Sequence, residues 1–315
     1  MNVAPQVSIR TPDVPKHESF TDPKLAVARL QEIYATAVNF LSENFVKALL
    51  DGQPETRLRA FYPEIRLTTT TYAKTDSRLS FGHVAEPGMY ATTVTRPDLF
   101  ASYLEQQIGL LLDSHGVPVV IGASTTEMPV HFAAANDPNL TVPHDGSMEF
   151  NLRDNFDVPD LSTTHDSIVN GKGFTYADGA RPLAPFTAQR VDYSLARLAH
   201  YTATAAEHFQ NHVLFTNYQF YVEEFEGYAR QMLADPDSGY TSFVSTGNIE
   251  ITDPDTQIAV PAKLPQMPTY HLKRKNGGGI TLVNIGVGPS NAKTATDHIA
   301  VLRPHAWLMV GHCAG

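Results

Sequence analysis

The stretch that most limits the fold of this chain is its end, GGGITLVNIGVGPSNAKTATDHIAVLRPHAWLMVGHCAG, from Gly277 to Gly315. Ile280 to Ile285 is a continuous apolar run of strand length, Gly286-Val287-Gly288-Pro289-Ser290 is a tight turn, and Asn291 to about Leu302 has helical spacing that Pro304 must stop. Ala306 to Val310 is a second apolar run, left by Gly311-His312-Cys313-Ala314-Gly315. Strand, helix and strand in that order predict a parallel pair with two small-residue loops at one sheet edge, the edge where open α/β sheets take their ligands. Gly286 and Gly288 let backbone N–H groups approach an anion, and Ser290 is expected to cap the helix and offer a hydroxyl. The spacing alone is weak, because short G-x-G turns before helices are common. The third glycine of a dinucleotide fingerprint is missing, and no phosphate-binding G-x-x-x-x-G-K-[ST] occurs in the sequence.

Upstream, Thr21-Asp22-Pro23 is a helix start, and Leu25, Leu30, Ile33, Tyr34, Ala37, Leu41, Phe45 and Leu49 recur at helical spacing until Gly52. Three runs rich in Thr, Val and aromatics, 64–72, 78–85 and 89–95, predict an antiparallel sheet. Pro97 to Gly116 predicts a helix and 117–121 a further strand. Helices on a mostly antiparallel sheet make an α+β domain. Residues 1–20, rich in proline and without period, predict a mobile leader, and 133–188 predicts a long irregular linker ending the first domain. His144 and His165 in that linker lack any metal-ligand spacing, so no metal is expected. His208 and His212 are four apart, yet His212 opens the strand 213–216, so they need not share a face.

The expected domains are therefore 21–188 and 189–315. In the second, Arg190 and Arg197 lie two helical turns apart on one stripe with Ser194 and Tyr201, and His200 follows near the helix end. Such a stripe suits a phosphate monoester held bidentately, or pairing to carboxylates such as Asp192 and Glu207. The strand 213–216 ends in Asn217-Tyr218 before a helix reaching Leu233, a further loop at a carboxyl edge. Arg96, at a strand-to-helix junction, is a candidate anion contact.

With 315 residues and 42% hydrophobic content the chain is long enough for two domains, and no apolar run approaches the length of a membrane span. A net charge of −10 excludes a typical duplex nucleic-acid binder. One cysteine makes no internal disulfide, and the absence of a secretory pattern makes the cytoplasm the expected compartment.

The run ITLVNIGVGPSNAKT with DHIAVLRPHAWLMVGHCAG resembles the first half of the catalytic domain of bacterial AMP nucleosidases, within the nucleoside phosphorylase superfamily. TTVTRPDLFASYLEQQI from Thr92, RVDYSLARLAHYTATAAEHFQNHVLFTNYQFYVEEF from Arg190 and QMPTYHL from Gln266 carry the same resemblance. It implies an α+β regulatory domain followed by an incomplete α/β catalytic domain that cleaves AMP to adenine and ribose 5-phosphate. It also implies activation by ATP, inhibition by phosphate, a homo-hexamer and no required cofactor. Phosphate and ribose contacts are expected from Arg190, Arg197, His200, Tyr201, Asn217, Tyr218, Gly286, Gly288, Ser290, Asn291, Gly311, His312 and Cys313, with Arg96 as the effector contact. In that family the catalytic carboxylates fall beyond the position of Gly315, so the chain is expected to be an amino-terminal piece with little activity alone. Two other readings stay open: a non-catalytic nucleotide-sensing module, and a cysteine elbow at Cys313 like that of glutamine amidotransferases.

Overall fold

The computed structural model describes residues 8–13, 16–51, 56–74, 82–135, 152–164, 166–258 and 262–312. It divides into two units, Met1–Asp192 and Tyr193–Gly315.

In the first unit short strands β1 (Ile9–Arg10) and β2 (Glu18–Phe20) precede helix α1 (Pro23–Asp51). Asp22 caps that helix, its Oδ1 accepting the amides of Lys24 at 2.8 Å and Leu25 at 3.1 Å, and Pro23 takes the first helical position, where a missing N–H costs nothing. The buried stripe is Ala26, Leu30, Ile33, Tyr34, Ala37, Leu41, Phe45 and Ala48. Leu25 and Leu49, expected inside, are exposed, because the buried stripe passes through their neighbours Ala26 and Ala48, about 100° around the helix. Then come β3 (Arg57–Leu58), β4 (Phe61–Thr69), β5 (Gly88–Thr93), α2 (Ala101–His115), β6 (Val119–Glu127), α3 (Val130–Ala135), α4 (Leu152–Asn155) and β7 (Arg181–Pro182).

The main sheet has the order β2-β6-β4-β5-β7, antiparallel throughout except for the short parallel pairing of β7 on β5. The expected α+β class holds for this unit. Within the expected leader, the described Ile9–Arg10 and Glu18–Phe20 are strands, β1 pairing with β3 and β2 with β6. A strand at 78–85 is absent from the described part, 82–85, of that range. Helix α2 starts at Ala101, not Pro97, after a turn in which the Phe100 amide reaches the Arg96 carbonyl at 3.1 Å. Gly116 closes it in the left-handed conformation (φ 64°) that glycine adopts without strain. Within 133–188, α3 continues to Ala135 and α4 and β7 interrupt the expected linker.

Helix α5 (Ala188–Thr202) crosses the division at 192/193, not at 188/189. The second unit follows as β8 (His212–Thr216), α6 (Gln219–Ala234), β9 (Tyr240–Ser245), β10 (Ile249–Ile251), β11 (Thr269–Arg274), β12 (Ile280–Asn284), α7 (Pro289–Ile299) and β13 (Ala306–Val310). Its sheet runs β10-β9-β11-β12-β8-β13. Strands β12 and β13 both pair with β8 in parallel and flank it, while β9, β10 and β11 are antiparallel. The sheet is therefore mixed, not purely parallel. The antiparallel half comes from 235–276, where short connections such as Thr246–Asn248, with positive φ at Gly247 and Asn248, allow only hairpins.

Side-chain alternation along β8 and β12 separates two cores. Val213, Phe215 and Val283 pack with Leu198, Ala295 and Ile299, whereas Leu282 packs with Val222, Phe225 and Ala229 of α6. Strand β13 has a partner on one side only among the described residues, and its Trp307, Leu308 and Met309 are about half exposed or more. No helix among the described residues is long and apolar enough to cross a membrane.

Candidate functional site

Register sets the site. His212 lies opposite both Ile280 and Ala306, and Thr216 opposite both Asn284 and Val310, so β12, β8 and β13 end side by side. Three loops leave that edge: 285–288, 217–218 and 311–312. The Ile285 amide donates to the Thr216 carbonyl at 2.8 Å, tying the first loop to the second. The second and third touch directly. The Tyr218 ring meets the His312 ring edge-on at 4.9 Å, and a Cβ on Gly311 would lie 3.4 Å from Asn217 Oδ1 and 3.8 Å from the Tyr218 ring. Glycine at 311 thus lets the chain leave β13 against Asn217. That Oδ1 is buried and makes no hydrogen bond within the described residues, an acceptor aimed into the junction.

The turn before α7 is built as its residue types dictate. Gly286 (φ 60°) takes the left-handed conformation that favours glycine, and Gly288 (φ 115°) one nearly closed to other residues. Asn284 Oδ1 accepts the Gly286 amide at 3.0 Å, and Asn291 Nδ2 donates to the Ile285 carbonyl at 3.0 Å. Gln266 Nε2 donates to Asn291 Oδ1 at 3.2 Å. Ser290 is not the cap: Gly288 is, without a side-chain hydrogen bond, and Ser290 falls inside the first helical turn. The helix begins two residues before the expected Asn291 because Pro289 is pre-set for its first position. Both changes leave the first amides of α7 uncapped by any side chain, in a field that favours anions.

Arg190 and Arg197 both lie in α5, seven residues or two turns apart, and their side chains take different partners. Arg190, in the first unit, is buried with its Nε on Asp166 Oδ1 at 2.7 Å. Helical spacing fixes which face Arg190 occupies, but its partner comes from the irregular segment, where sequence gives no register. Arg197, in the second unit, places its guanidinium 4.5 Å above the Tyr201 ring and hydrogen-bonds the Tyr201 hydroxyl, with its Nε buried and without a hydrogen bond. Tyr201 stacks on His298, eight residues along α7 from Ser290 or about 12 Å of helix. His200 is exposed, its ring against the edge of Tyr201. Asp192 lies in a buried hydroxyl cluster of the first unit, with Tyr62 and Thr95.

Arg96 adopts φ 45° and forks onto Asp98, Nε at 3.2 Å and Nη2 at 3.0 Å. Burial opposes ionisation of Asp98, yet the Arg96 hydrogen bonds and charge hold its pKa below the ordinary value. An anion at Arg96 must therefore compete with Asp98. His212 Nδ1 lies 3.1 Å from the Gly279 carbonyl and His208 Nδ1 3.4 Å from Lys273 Nζ. No group of three or more His, Cys, Asp or Glu side chains suited to a metal occurs among the described residues. His144, His165 and Cys313 lie outside them.

Sequence reasoning missed Thr216, whose Oγ1 accepts the Tyr218 amide at 3.2 Å, and Asn284. It also missed Tyr221, whose hydroxyl is 3.2 Å from His312 Nε2. Tyr221 follows Tyr218 by three positions, a spacing that brings two side chains to one end of a helix face.

Residues 25–180 match the family model described as bacterial AMP nucleoside phosphorylase N-terminus. The chain is 41% identical over 307 residues to the AMP nucleosidase of Escherichia coli K12, covering 93% of this chain and 62% of that protein. The protein of Escherichia coli O157:H7 gives the same values. The chain thus spans 62% of the length of the curated relatives it matches. A crystal structure of AMP nucleosidase from Bacteroides thetaiotaomicron is 22% identical, covering 39% of this chain and 40% of that one, with a TM-score of 0.27 that carries no argument about fold. Residues 25–180 are thus similar to bacterial AMP nucleoside phosphorylase amino-terminal domains.

Proposed function

We propose that this chain supplies the phosphate and ribose side of an AMP site, in an enzyme that hydrolyses the N-glycosidic bond to give adenine and ribose 5-phosphate. The observation that carries the reading is the alignment of β12, β8 and β13, which gathers Asn217, Tyr218, Gly286, Gly288, Gly311 and His312 at one edge. The names of the relatives supply the substrate. Cleavage requires a proton for the departing base, support for a sugar of oxocarbenium character and an activated water. A 5′-phosphate adds a remote handle whose binding energy orients the sugar. The amides of Ser290 and Asn291 at the start of α7 receive that phosphate together with Arg197, swung from Tyr201; Asn217 and His312 face ribose hydroxyls. Arg190 stays with Asp166 and serves the first unit. General acid and ribose carboxylate are not assigned to residues of this sequence, and the second unit is read as nucleoside-phosphorylase-like.

In the same reading the first unit is regulatory, with ATP activating and phosphate inhibiting through Arg96, no cofactor is needed, and the protein works as a homo-hexamer in the cytoplasm. Calorimetry of AMP, ribose 5-phosphate and adenine against the 315-residue chain tests the central claim. AMP and ribose 5-phosphate are expected to bind and adenine alone to bind far more weakly. Equal affinity for adenine and AMP, or no heat with either phosphate ester, would sink it.

A further inference from the structure

At the sheet edge one contact is oriented by chemistry that the loops alone do not supply. The Tyr221 hydroxyl lies 3.2 Å from His312 Nε2, and the imidazole is cornered by two rings, Tyr218 edge-on at 4.9 Å and Tyr221 tilted at 5.7 Å. A phenol, with an ordinary pKa near 10, donates readily to an unprotonated imidazole nitrogen, whose conjugate acid has an ordinary pKa of about 6.5. An imidazole that accepts at Nε2 carries its hydrogen on Nδ1. Among the described residues no other hydrogen bond or ion pair reaches the ring, so the tyrosines at 218 and 221 are the titratable groups that face it. His312 is exposed, next to Gly311 and the buried Oδ1 of Asn217.

We propose that Tyr221 is a positioning residue that fixes His312 as the Nδ1–H tautomer, so that a neutral imidazole donates a hydrogen bond to a ligand oxygen at this edge. This rests on the AMP reading above for the identity of the ligand, and on the Tyr221 contact for the tautomer. No positive charge on His312 is then needed for the ring to act as a donor.

The test uses the full 315-residue chain labelled with 15N-histidine, with His312→Ala identifying the His312 signals. Without ligand at pH 8, Nδ1 is expected to be protonated and Nε2 unprotonated, and Tyr221→Phe is expected to shift the population toward Nε2–H. A His312 already mainly Nε2–H, or one whose tautomer is unchanged by Tyr221→Phe, overturns the proposal. With AMP as probe, Tyr221→Phe is expected to weaken binding about fivefold at pH 8, the weight of one hydrogen bond to a neutral hydroxyl. In the His312→Ala background the deficit should nearly vanish. A deficit of the same size in both backgrounds means mere packing and overturns the donor role. If AMP binds neither protein, the AMP reading and the donor role fall together, while the spectrum alone still decides whether Tyr221 holds the tautomer.

Discussion

The carboxylate of Asp192 accepts the hydroxyl of Tyr62 at 2.5 Å, and both side chains are sealed from solvent. Thr95 Oγ1 supplies a second donor at 2.7 Å, and the Tyr34 hydroxyl stands 3.3 Å behind Thr95. Burial raises Asp192 from 3.8 to about 6, against the hydrogen bonds from Tyr62 and Thr95 and the charge of Arg96.

The folded pKa exceeds the unfolded one, so this group's stabilising contribution is whole below about pH 4 and is lost as pH rises through about 6. A rise of that size corresponds to about 3 kcal/mol between the limits. Asp192→Asn, which keeps polar partners for both hydroxyls, should therefore gain on the native protein as pH is raised from 4 to 7.5. Hydrogen exchange of the β4 and β5 amides reads the change; an offset independent of pH contradicts it.

His271 behaves in the opposite sense. It is fully buried, Nδ1 3.0 Å from Thr281 Oγ1 and Nε2 3.1 Å from Thr204 Oγ1, and burial first, with nearby His208 and Lys273, holds its pKa well below 6.5. The unfolded chain takes the proton first, so stability is full above about pH 6.5 and drains as the solution is acidified. The fluorescence of Trp307, the chain's one tryptophan, follows unfolding of this unit. His271→Gln should cost about 1–3 kcal/mol at pH 7.5, and less at pH 5. A cost that grows on acidification would contradict the buried neutral ring.

Two glycines of the second unit should fail for different reasons. A Cβ at Gly279 would stand 2.0 Å from the Leu272 carbonyl oxygen and 2.9 Å from the Arg274 amide nitrogen, so Gly279→Ala must prise β11 from β12 and should cost about 3 kcal/mol or more. At Gly288 nothing lies within 4 Å, yet φ 115° is nearly closed to alanine, and Gly288→Ala should cost roughly 1–3 kcal/mol. Urea denaturation followed at Trp307 ranks them; equal, negligible losses would refute both.

The two arginines should part company. Arg197→Gln is expected to weaken AMP binding about tenfold or more, since a charged hydrogen bond is worth about 1.5–3 kcal/mol. Arg190→Gln should leave affinity within about twofold and lower the stability of the first unit, as loss of a buried, ion-paired guanidinium does. Calorimetry and thermal unfolding on both variants decide it, and a large affinity loss at Arg190 alone would reverse the assignment.

What the sequence disclosed follows the range of the forces involved. The loops after β8, β12 and β13 were legible because apolar run, turn and helix are neighbours in sequence, and register then aligns their ends. Long-range partners were not: Asp166 for Arg190 and Tyr221 for His312 depend on tertiary packing that no spacing encodes. The antiparallel strands β9 to β11 escaped notice since Tyr240–Ser245 and Thr269–Arg274 mix polar and apolar residues without strict alternation. Strands β1 and β2 escaped for a related reason, being two and three residues long and held by backbone pairing to the sheet.

Strand β13 carries a last consequence. Trp307 and Met309 point to one side of the rim and Leu308 to the other, and the outward backbone of the ribbon has only solvent to satisfy it among the described residues. Such a margin offers its row of backbone groups to any further strand that can pair with it.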